Sequence, residues 1–493
     1  MCSERNETKD VRFNMRKKID TGFEDTKGLL RGVSGFLEVL LLSVMYYIVW
    51  RVGYDDGLFP NYFHKGKYVL MGVYALLLIL ILQNFDGFLF GRLRKTDVVL
   101  AQWIAILLVN FVIYWQLCLI ANQLISVVPI LILFAGDMLV ALFFVIATTA
   151  VYHHFYAPHS MIMVFGGENS VVLKIKMDAR QDKYLVKKLI SVEEGYEKMC
   201  SEILKFDAAI LTDIPAQIRN DLLKFCYRNR IRVYIAPKIS DIILRGGEEI
   251  NLFDTPLLRV KGVGLTLTQR IVKRSLDIIL SVIAMVIALP IMLVIAAAIK
   301  LEDGGPVFYK QKRLTLNGRE FNILKFRSMI VDAEKYAGAV LAEDNDPRIT
   351  KIGKLIRATR LDELPQILNI LKGDMSIVGP RPERKCFADE FSKEIPEFEY
   401  RLKVKGGLTG YAQIYGKYNT SAYDKLRLDL MYIESYSIVL DIKLMLLTLR
   451  IMFSKDSTEG IDKAREREKR RDELIHEMNN DRDASATSVG SKD

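Results

Sequence analysis

Asp362 and Glu363 stand side by side in Leu361-Asp362-Glu363-Leu364-Pro365, with Arg357 and Arg360 ahead of them and Arg381 after them. The histidines, His64, His153, His154, His159 and His476, all fall outside residues 301–453. A Ser-His-Asp or Cys-His mechanism and a histidine-rich zinc site are therefore excluded from that region. Carboxylates, arginines and lysines remain, a set that suits phosphoryl transfer assisted by a hard cation, where catalysis is mainly positioning and charge neutralisation. On a helix, successive residues point about 100° apart, so the pair is a poor match to two carboxylates flanking a glycosidic bond. One carboxylate attacking while the other holds a metal fits better. Pro365 marks the first turn of a helix continuing through Gln366-Ile367-Leu368-Asn369. The pair is thus expected at a helix N-terminus, where the dipole favours anions; the plain alternative is an acidic helix cap.

Basic residues must be brought to that pair. Lys351, Lys354, Arg357 and Arg360 recur every third residue of a predicted helix, Lys351–Arg360, forming one slowly winding stripe. A solvated or headgroup-facing stripe is the alternative for the lysines; Arg357 and Arg360 lead into the acidic pair and are candidate phosphate clamps. Arg381 lies between prolines in Gly379-Pro380-Arg381-Pro382, a stiff loop suited to aiming one guanidinium. Upstream, Val307–Leu314 and Phe321–Met329 flank an Asn317-Gly318 turn signal and predict a hairpin whose return strand ends in Lys325-Phe326-Arg327-Ser328-Met329. A helical stretch near Ile330–Leu341 and Asp346-Pro347-Arg348 follow. Tyr423–Tyr436 and Asp441–Phe453 are predicted helices at the membrane surface, with plain core helices as the alternative. The tail after Lys455 mixes charges densely and is expected to be a solvated helix or disordered.

The 493 residues are split in character: 51% are hydrophobic and 26% charged, with a formal charge of +10. Such a balance suits anionic lipid or phosphate ligands, and the apolar content argues against nucleic acid as a partner. Cys2, Cys118, Cys200, Cys226 and Cys386 form no CxxC pair, so reduced thiols are expected. No cleavable signal peptide is expected. The stretches Gly32–Trp50, Tyr68–Phe90, Val98–Ile120 and Leu124–Tyr152 are each long enough to cross a hydrocarbon core, which takes about 20 apolar residues. Arg12, Arg16, Lys17 and Lys18 precede the first, Arg92, Arg94 and Lys95 lie in the second loop, and 121–127 carries no charge. Positive loops stay inside, which places the N-terminus and the chain after the fourth span in the cytoplasm. Asp137, Glu38 and Asp86 fall within these spans, and hydrogen-bonded helix contacts are the expected reading.

A fifth apolar segment, Ile278–Ile299, has Pro290 near its centre and positive charge at both ends. A helix broken or kinked at Pro290 that dips in and returns is the expectation. Residues 157–260 alternate strand and helix patterns: strands at Met161–Phe165, Asp207–Thr212 and Ile231–Ile235, helices at Glu193–Lys205 and Ala216–Arg228. That alternation predicts a parallel α/β sheet. Gly166-Gly167 occupies the place of a phosphate loop, but GxGxxG is absent and no clear helix follows, so a scaffolding or dimerising role, which would allow a homodimer, is favoured over nucleotide binding.

Lys325-Phe326-Arg327-Ser328-Met329, Asp346-Pro347-Arg348, Arg357 with Leu361-Asp362-Glu363-Leu364-Pro365-Gln366, Gly379-Pro380-Arg381-Pro382 and Lys405-Gly406-Gly407-Leu408-Thr409-Gly410-Tyr411-Ala412-Gln413 occur in that order. As a set, over about 266–455, they resemble the bacterial sugar transferase family, the monotopic polyprenyl-phosphate sugar-1-phosphate transferases. The longer architecture resembles the large members that begin exopolysaccharide, capsule or O-antigen units. The resemblance implies a membrane protein of α and α/β class with a cytoplasmic tail (1–31), four transmembrane helices (32–152) and a Rossmann-like domain (157–260). A re-entrant membrane helix (266–300) broken at Pro290, a small α/β catalytic domain with interfacial helices (301–453) and a charged tail (454–493) complete it. It further implies that Asp362 attacks the sugar-linked phosphate of a UDP-sugar, expels UMP, and passes the phosphosugar to polyprenyl phosphate. Glu363, with Asp362 beside it, would bind Mg²⁺; Arg357 and Arg381 would hold phosphates, with Lys325, Arg327, Arg348 and Arg360 as further substrate or phosphate ligands. The setting would be the cytoplasmic face of the bacterial inner membrane, in contact with lipid. The degenerate glycine loop departs from the family pattern, and the loop between Lys335 and Asp346 gives no clue to the sugar. A non-catalytic scaffold of a polysaccharide assembly and a transferase that moves sugar without its phosphate are the competing readings.

Overall fold

The computed structural model describes residues 2–54, 66–156, 158–167, 169–260, 262–331, 346–416 and 420–452, with side chains from Thr26 onward except that of residue 169. The expected helix near Ile330–Leu341, beyond its first two residues, and the charged tail lie outside them. The chain divides into two compact units, one including residues up to Ala236 and the other running from Pro237.

Among the described residues the first unit opens with four helices: α1 (Cys2–Gly53), α2 (Gly66–Asn84), α3 (Lys95–Ala121) and α4 (Val128–Phe155). α1 takes in residues read from the sequence as a polar tail. Its apolar span, Thr26–Gly53, and the other three helices are each long and apolar enough to cross a membrane. Hydrogen bonding couples their polar residues, as a low-dielectric setting demands. Asp137 Oδ2 accepts from Tyr74 Oη at 2.9 Å and Asn110 Nδ2 at 3.1 Å, and Glu38 Oε2 accepts from Gln102 Nε2 at 3.1 Å. Asp86 instead turns the chain after α2, with φ +62°.

An α/β layer follows: β1 (His159–Phe165), α5 (Asn169–Asp178), β2 (Tyr184–Ser191), α6 (Tyr196–Ile203), β3 (Ala208–Thr212), α7 (Ala216–Arg228) and β4 (Arg232–Ile235). The strands form one parallel sheet in the order β2-β1-β3-β4. A helix does follow Gly166-Gly167, against the sequence expectation. Its run Val171-Val172-Leu173 is rich in β-branched residues and reads as strand, and burial of Val171 and Met177 decides for helix. The order reverses between β1 and β3, where an open α/β sheet would bind a ligand. There the glycines lie against the loop after β3: a Cβ on Gly167 would stand 2.1 Å from Asp213 Oδ2, and one on Gly166 2.6 Å from Asp213 O.

In the second unit, α8 (Ile239–Arg245) and the hairpin β5 (Glu248–Leu252) and β6 (Thr255–Arg259) come before α9 (Leu267–Asp303). The sequence reading grouped residues 239–259 with the α/β domain. Packing assigns α8 to the C-terminal unit, because Ile239 and Ile242 share a core with Phe398, Leu426, Leu430 and Leu444. α9 has 37 residues and holds Pro290 inside one continuous element, not at a break between two helices. The turns on either side of Pro290 keep their own hydrogen bonds, so loss of one donor does not end the helix.

Straight, α9 would measure about 55 Å, yet both ends are tied to this unit. Near its start, Lys273 pairs with Asp441 at 2.6 Å, and Arg274 donates to the carbonyls of Ile370 (2.5 Å) and Leu371 (2.7 Å). At its end, Asp303 pairs with Arg327 at 2.7 Å. Between them Ala288, Met292, Ile295 and Ile299 pack against Phe326, Ile356 and Ile367, while Val286, Ile287, Leu293 and Val294 are exposed.

The rest is small: the antiparallel hairpin β7 (Phe308–Leu314) and β8 (Glu320–Phe326), then α10 (Lys351–Ala358), α11 (Gln366–Lys372), β9 (Ser376–Val378) and α12 (Lys385–Glu394). After these come β10 (Gly407–Thr409), parallel to β9, and α13 (Tyr411–Tyr415), α14 (Ala422–Glu434) and α15 (Ile438–Met452). α14 is a core helix, not a surface one: Leu426, Leu430 and Ile433 are buried within the unit. α15 buries Leu444 and Leu447 while exposing Val439 and Ile442.

Lys273 and Asp441 are both buried, and Tyr432 Oη also donates to Asp441 at 2.8 Å. Lys273→Ala leaves a buried carboxylate without its cation. It is expected to cost about 3–5 kcal/mol in denaturant unfolding of the detergent-solubilised chain, with Lys273→Met/Asp441→Leu recovering most of it. A cost below about 1 kcal/mol, the range of surface pairs, would refute the role of this pair.

Candidate active site

The site is built on β8 and the turn before α11. The hairpin closes through Asn317 and Gly318, both left-handed (φ +57° and +75°), as Asn-Gly favours. Asn369 of α11 then clips β8 in place: its Oδ1 accepts from Leu324 N at 2.9 Å and its Nδ2 donates to Asn322 O at 2.8 Å. Lys325, the next residue of β8, is thereby set beside the acidic pair.

α10 arrives from the other side, capped by Thr350, whose hydroxyl accepts from Gly353 N at 2.9 Å. The predicted helix Lys351–Arg360 ends early. Arg360 adopts φ +56°, and this left-handed residue turns the chain into a single 3-10 turn, Leu361–Glu363. The acidic pair therefore lies in that turn, ahead of Pro365 and α11, rather than in the first turn of the α-helix.

Although adjacent side chains diverge, the two carboxylates reach one ammonium. Lys325 Nζ is 2.8 Å from Glu363 Oε1 and 3.9 Å from Asp362 Oδ2. Arg381 Nη2 approaches Glu363 Oε1 at 3.4 Å. Arg357 bears electrostatically on Asp362 and Arg360 on Glu363. Thus Asp362, Glu363, Lys325, Arg357, Arg360 and Arg381 form one cluster.

The two acids are tuned apart. Burial raises the Asp362 carboxyl above the ordinary aspartate value; Lys325 opposes this and the Glu363 charge reinforces it. Burial would raise Glu363 too, but Lys325, Arg381 and Arg360 outweigh it and bring its pKa down to about 2. One carboxylate is more basic than usual and its neighbour is a fixed anion, a division that marks separate chemical roles.

Two predicted phosphate ligands are engaged elsewhere. Arg327 is buried and forms a bidentate pair with Asp303, joining the end of α9 to the hairpin. Arg348 folds back on Asp346: its backbone N donates to Oδ1 at 3.0 Å and its Nε at 2.8 Å. Hydrogen bonds from Arg348 bring the Asp346 carboxyl down to about 2. Arg327 thus ties the end of α9 to the hairpin, and Arg348 holds its own turn. Asn369, absent from the sequence candidates, clips β8 in place, and its type and position gave no signal of it.

Among the described residues no group of three or more acidic, histidine or cysteine side chains could enclose a metal. Asp362 and Glu363 nevertheless fit a magnesium ion of the kind held by one or two carboxylates and completed by substrate phosphates.

Residues 268–455 match the family described as bacterial sugar transferase. A Bacillus subtilis protein, provisionally named an undecaprenyl-phosphate N-acetylgalactosaminyl 1-phosphate transferase, is 52% identical over 131 residues, 27% of this chain and 73% of that one. The chain belongs to the bacterial sugar transferase family. Longer members also match. A UDP-N-acetylgalactosamine-undecaprenyl-phosphate N-acetylgalactosaminephosphotransferase of Aeromonas hydrophila is 45% identical over 186 residues, 37% of this chain and 44% of that one. A UDP-glucose:undecaprenyl-phosphate glucose-1-phosphate transferase of Escherichia coli is 39% identical over 211 residues, 42% of this chain and 44% of that one. The chain spans about half the length of these longer relatives. The family match contains the whole charged cluster: β8, α10, the 3-10 turn, α11 and the loop of Arg381 all lie within 268–455.

Proposed function

We propose that this chain transfers a sugar 1-phosphate from a UDP-sugar to polyprenyl phosphate, giving polyprenyl-diphosphate-sugar and UMP.

 The observation that carries this reading is the convergence of Asp362, Glu363, Lys325 and Arg381 within 4 Å contacts inside the segment that matches the family. Asp362, the more basic acid, is the nucleophile. Its carboxylate oxygen bonds to the sugar-linked phosphorus, the bond from that phosphorus to the bridging oxygen breaks, and UMP leaves with the electron pair. An oxygen of polyprenyl phosphate then attacks the same phosphorus and releases Asp362. Splitting one displacement into two in this way is ordinary covalent catalysis.

Lys325 and Arg381 would hold the phosphates, with Arg357 and Arg360 adding positive potential around them. Glu363 stays anionic at neutral pH, as a permanent metal ligand should. A magnesium ion bound by Glu363 with Asp362 would neutralise charge on the diphosphate.

The acceptor lipid requires the site to lie at the membrane. The five long apolar helices among the described residues and the basic residues of the loops support a multi-pass protein of the bacterial cytoplasmic membrane with this unit on the cytoplasmic face. For α9 we propose a path that enters the membrane and returns. The ties at Lys273, Arg274 and Asp303 to one unit, and the exposed apolar residues flanking Pro290, support it. Leu267 and Leu301 are both exposed. Cysteines placed singly at these positions should be labelled by a membrane-impermeant maleimide from the same side; labelling from opposite sides would overturn the returning path.

Relatives named for N-acetylgalactosamine, glucose and galactose match this chain at 45%, 39% and 44% identity, so similarity does not select the sugar. A panel of UDP-sugars, incubated with membranes and polyprenyl phosphate, tests both activity and sugar. UMP release with lipid-linked label, abolished by Asp362→Asn, is the expected outcome. Release of UDP would point to transfer of the sugar alone, and full activity of Asp362→Asn would refute the nucleophile.

A further inference from the structure

Arg381 is aimed at Glu363 by a loop whose backbone is held carbonyl by carbonyl. Pro380 O accepts from Gly407 N at 2.9 Å, Arg381 O from Arg401 Nη2 at 3.0 Å, Pro382 O from Arg313 Nη1 at 3.2 Å, and Glu383 O from Leu314 N at 2.9 Å. Two of these donors are main-chain groups of neighbouring elements. The other two are arginine side chains, and the one that grips Arg381 itself is buried.

Arg401 lies in a 3-10 helix, Pro396–Lys403, with its side chain 4% exposed. The same Nη2 that donates to Arg381 O is 2.8 Å from Asp429 Oδ2, and Nη1 is 3.7 Å from Glu383 Oε1. Its guanidinium also lies over the Phe398 ring, 4.9 Å from the centroid. Asp429 comes from the core helix α14 and is 1% exposed. A planar guanidinium with several donors can bind a carboxylate and a carbonyl together; a lysine ammonium at the same place lacks that fixed fork.

Building on the function proposed above, we propose that Arg401, anchored by Asp429, is a positioning residue for the transfer reaction: it fixes the backbone of Arg381 and so the placement of that guanidinium at Glu363. Neither Arg401 nor Asp429 approaches the reaction centre directly. The effect is transmitted through one carbonyl, and small displacements of a charged group at a phosphate site lower rate steeply.

The test is a double-mutant cycle on the full-length chain in detergent, with UMP release and thermal midpoint both measured. Arg401→Lys keeps the charge opposite Asp429 and is expected to lower kcat/KM by about tenfold or more. In an Arg381→Ala background the same change should add less than about twofold, since it acts through a group already removed. Unchanged kcat/KM in Arg401→Lys, or an equal loss in both backgrounds, would overturn the positioning role. Should Arg401→Lys fail to fold, Arg313→Lys is put through the same cycle, because Arg313 grips the adjacent carbonyl and the same non-additivity is required of it. Absence of UMP release by the native chain would overturn the transfer reaction together with the positioning role, whereas a fully active Arg401→Lys would overturn only the latter.

Discussion

Two neighbouring carboxylates cannot share a partly buried site without cations to hold them, and the contact of Lys325 with both Asp362 and Glu363 meets that constraint. Much of the surrounding structure serves to bring Lys325 there. It needs β8 clipped to α11 by Asn369, the left-handed Arg360 that ends α10, and the 3-10 turn that presents the acids. The same contact separates the acids chemically. Glu363, closest to Lys325 and also near Arg381, becomes a fixed anion, while Asp362 keeps the raised pKa that burial gives it. A cluster of this kind gains from low dielectric because every charge in it has an opposite neighbour.

The charged residues of the site were legible as residue types, and several local elements were legible as patterns. Asn317-Gly318 announced the hairpin turn, and helix Ala216–Arg228 has the bounds its periodicity implies. What could not be read was the pairing of charges far apart in sequence. The pairing of Arg327, read as a phosphate ligand, with Asp303 at the end of α9 is one such case. The divergence of adjacent side chains suggested that Asp362 and Glu363 would face different partners, yet the long stem of Lys325 reaches both. Asn369, Arg401 and Asp429 carried no local signal at all, since their roles arise from tertiary contacts. Helix α5 was obscured for a related reason: its β-branched run prefers a strand until burial decides otherwise.

Ion pairs with at least one buried member recur through the C-terminal unit at its structural joints. Lys273 with Asp441 fixes the start of α9, Arg327 with Asp303 fixes its end, and Arg401 with Asp429 ties α14 to the loop of Arg381. Such pairs add little net stability over apolar packing, but breaking one is costly, so they are strict about geometry. That strictness suits the proposed chemistry, which rests on placing phosphates among fixed charges rather than on a reactive histidine or thiol.

The central claim is that Asp362 carries the phosphosugar covalently. The most direct measurement is mass spectrometry of the full-length chain quenched after incubation with a UDP-sugar and no lipid acceptor. The account predicts that the peptide containing Asp362 gains the mass of one sugar phosphate, with UMP released in matching amount. An unmodified peptide, with UMP appearing only when polyprenyl phosphate is supplied, would contradict it.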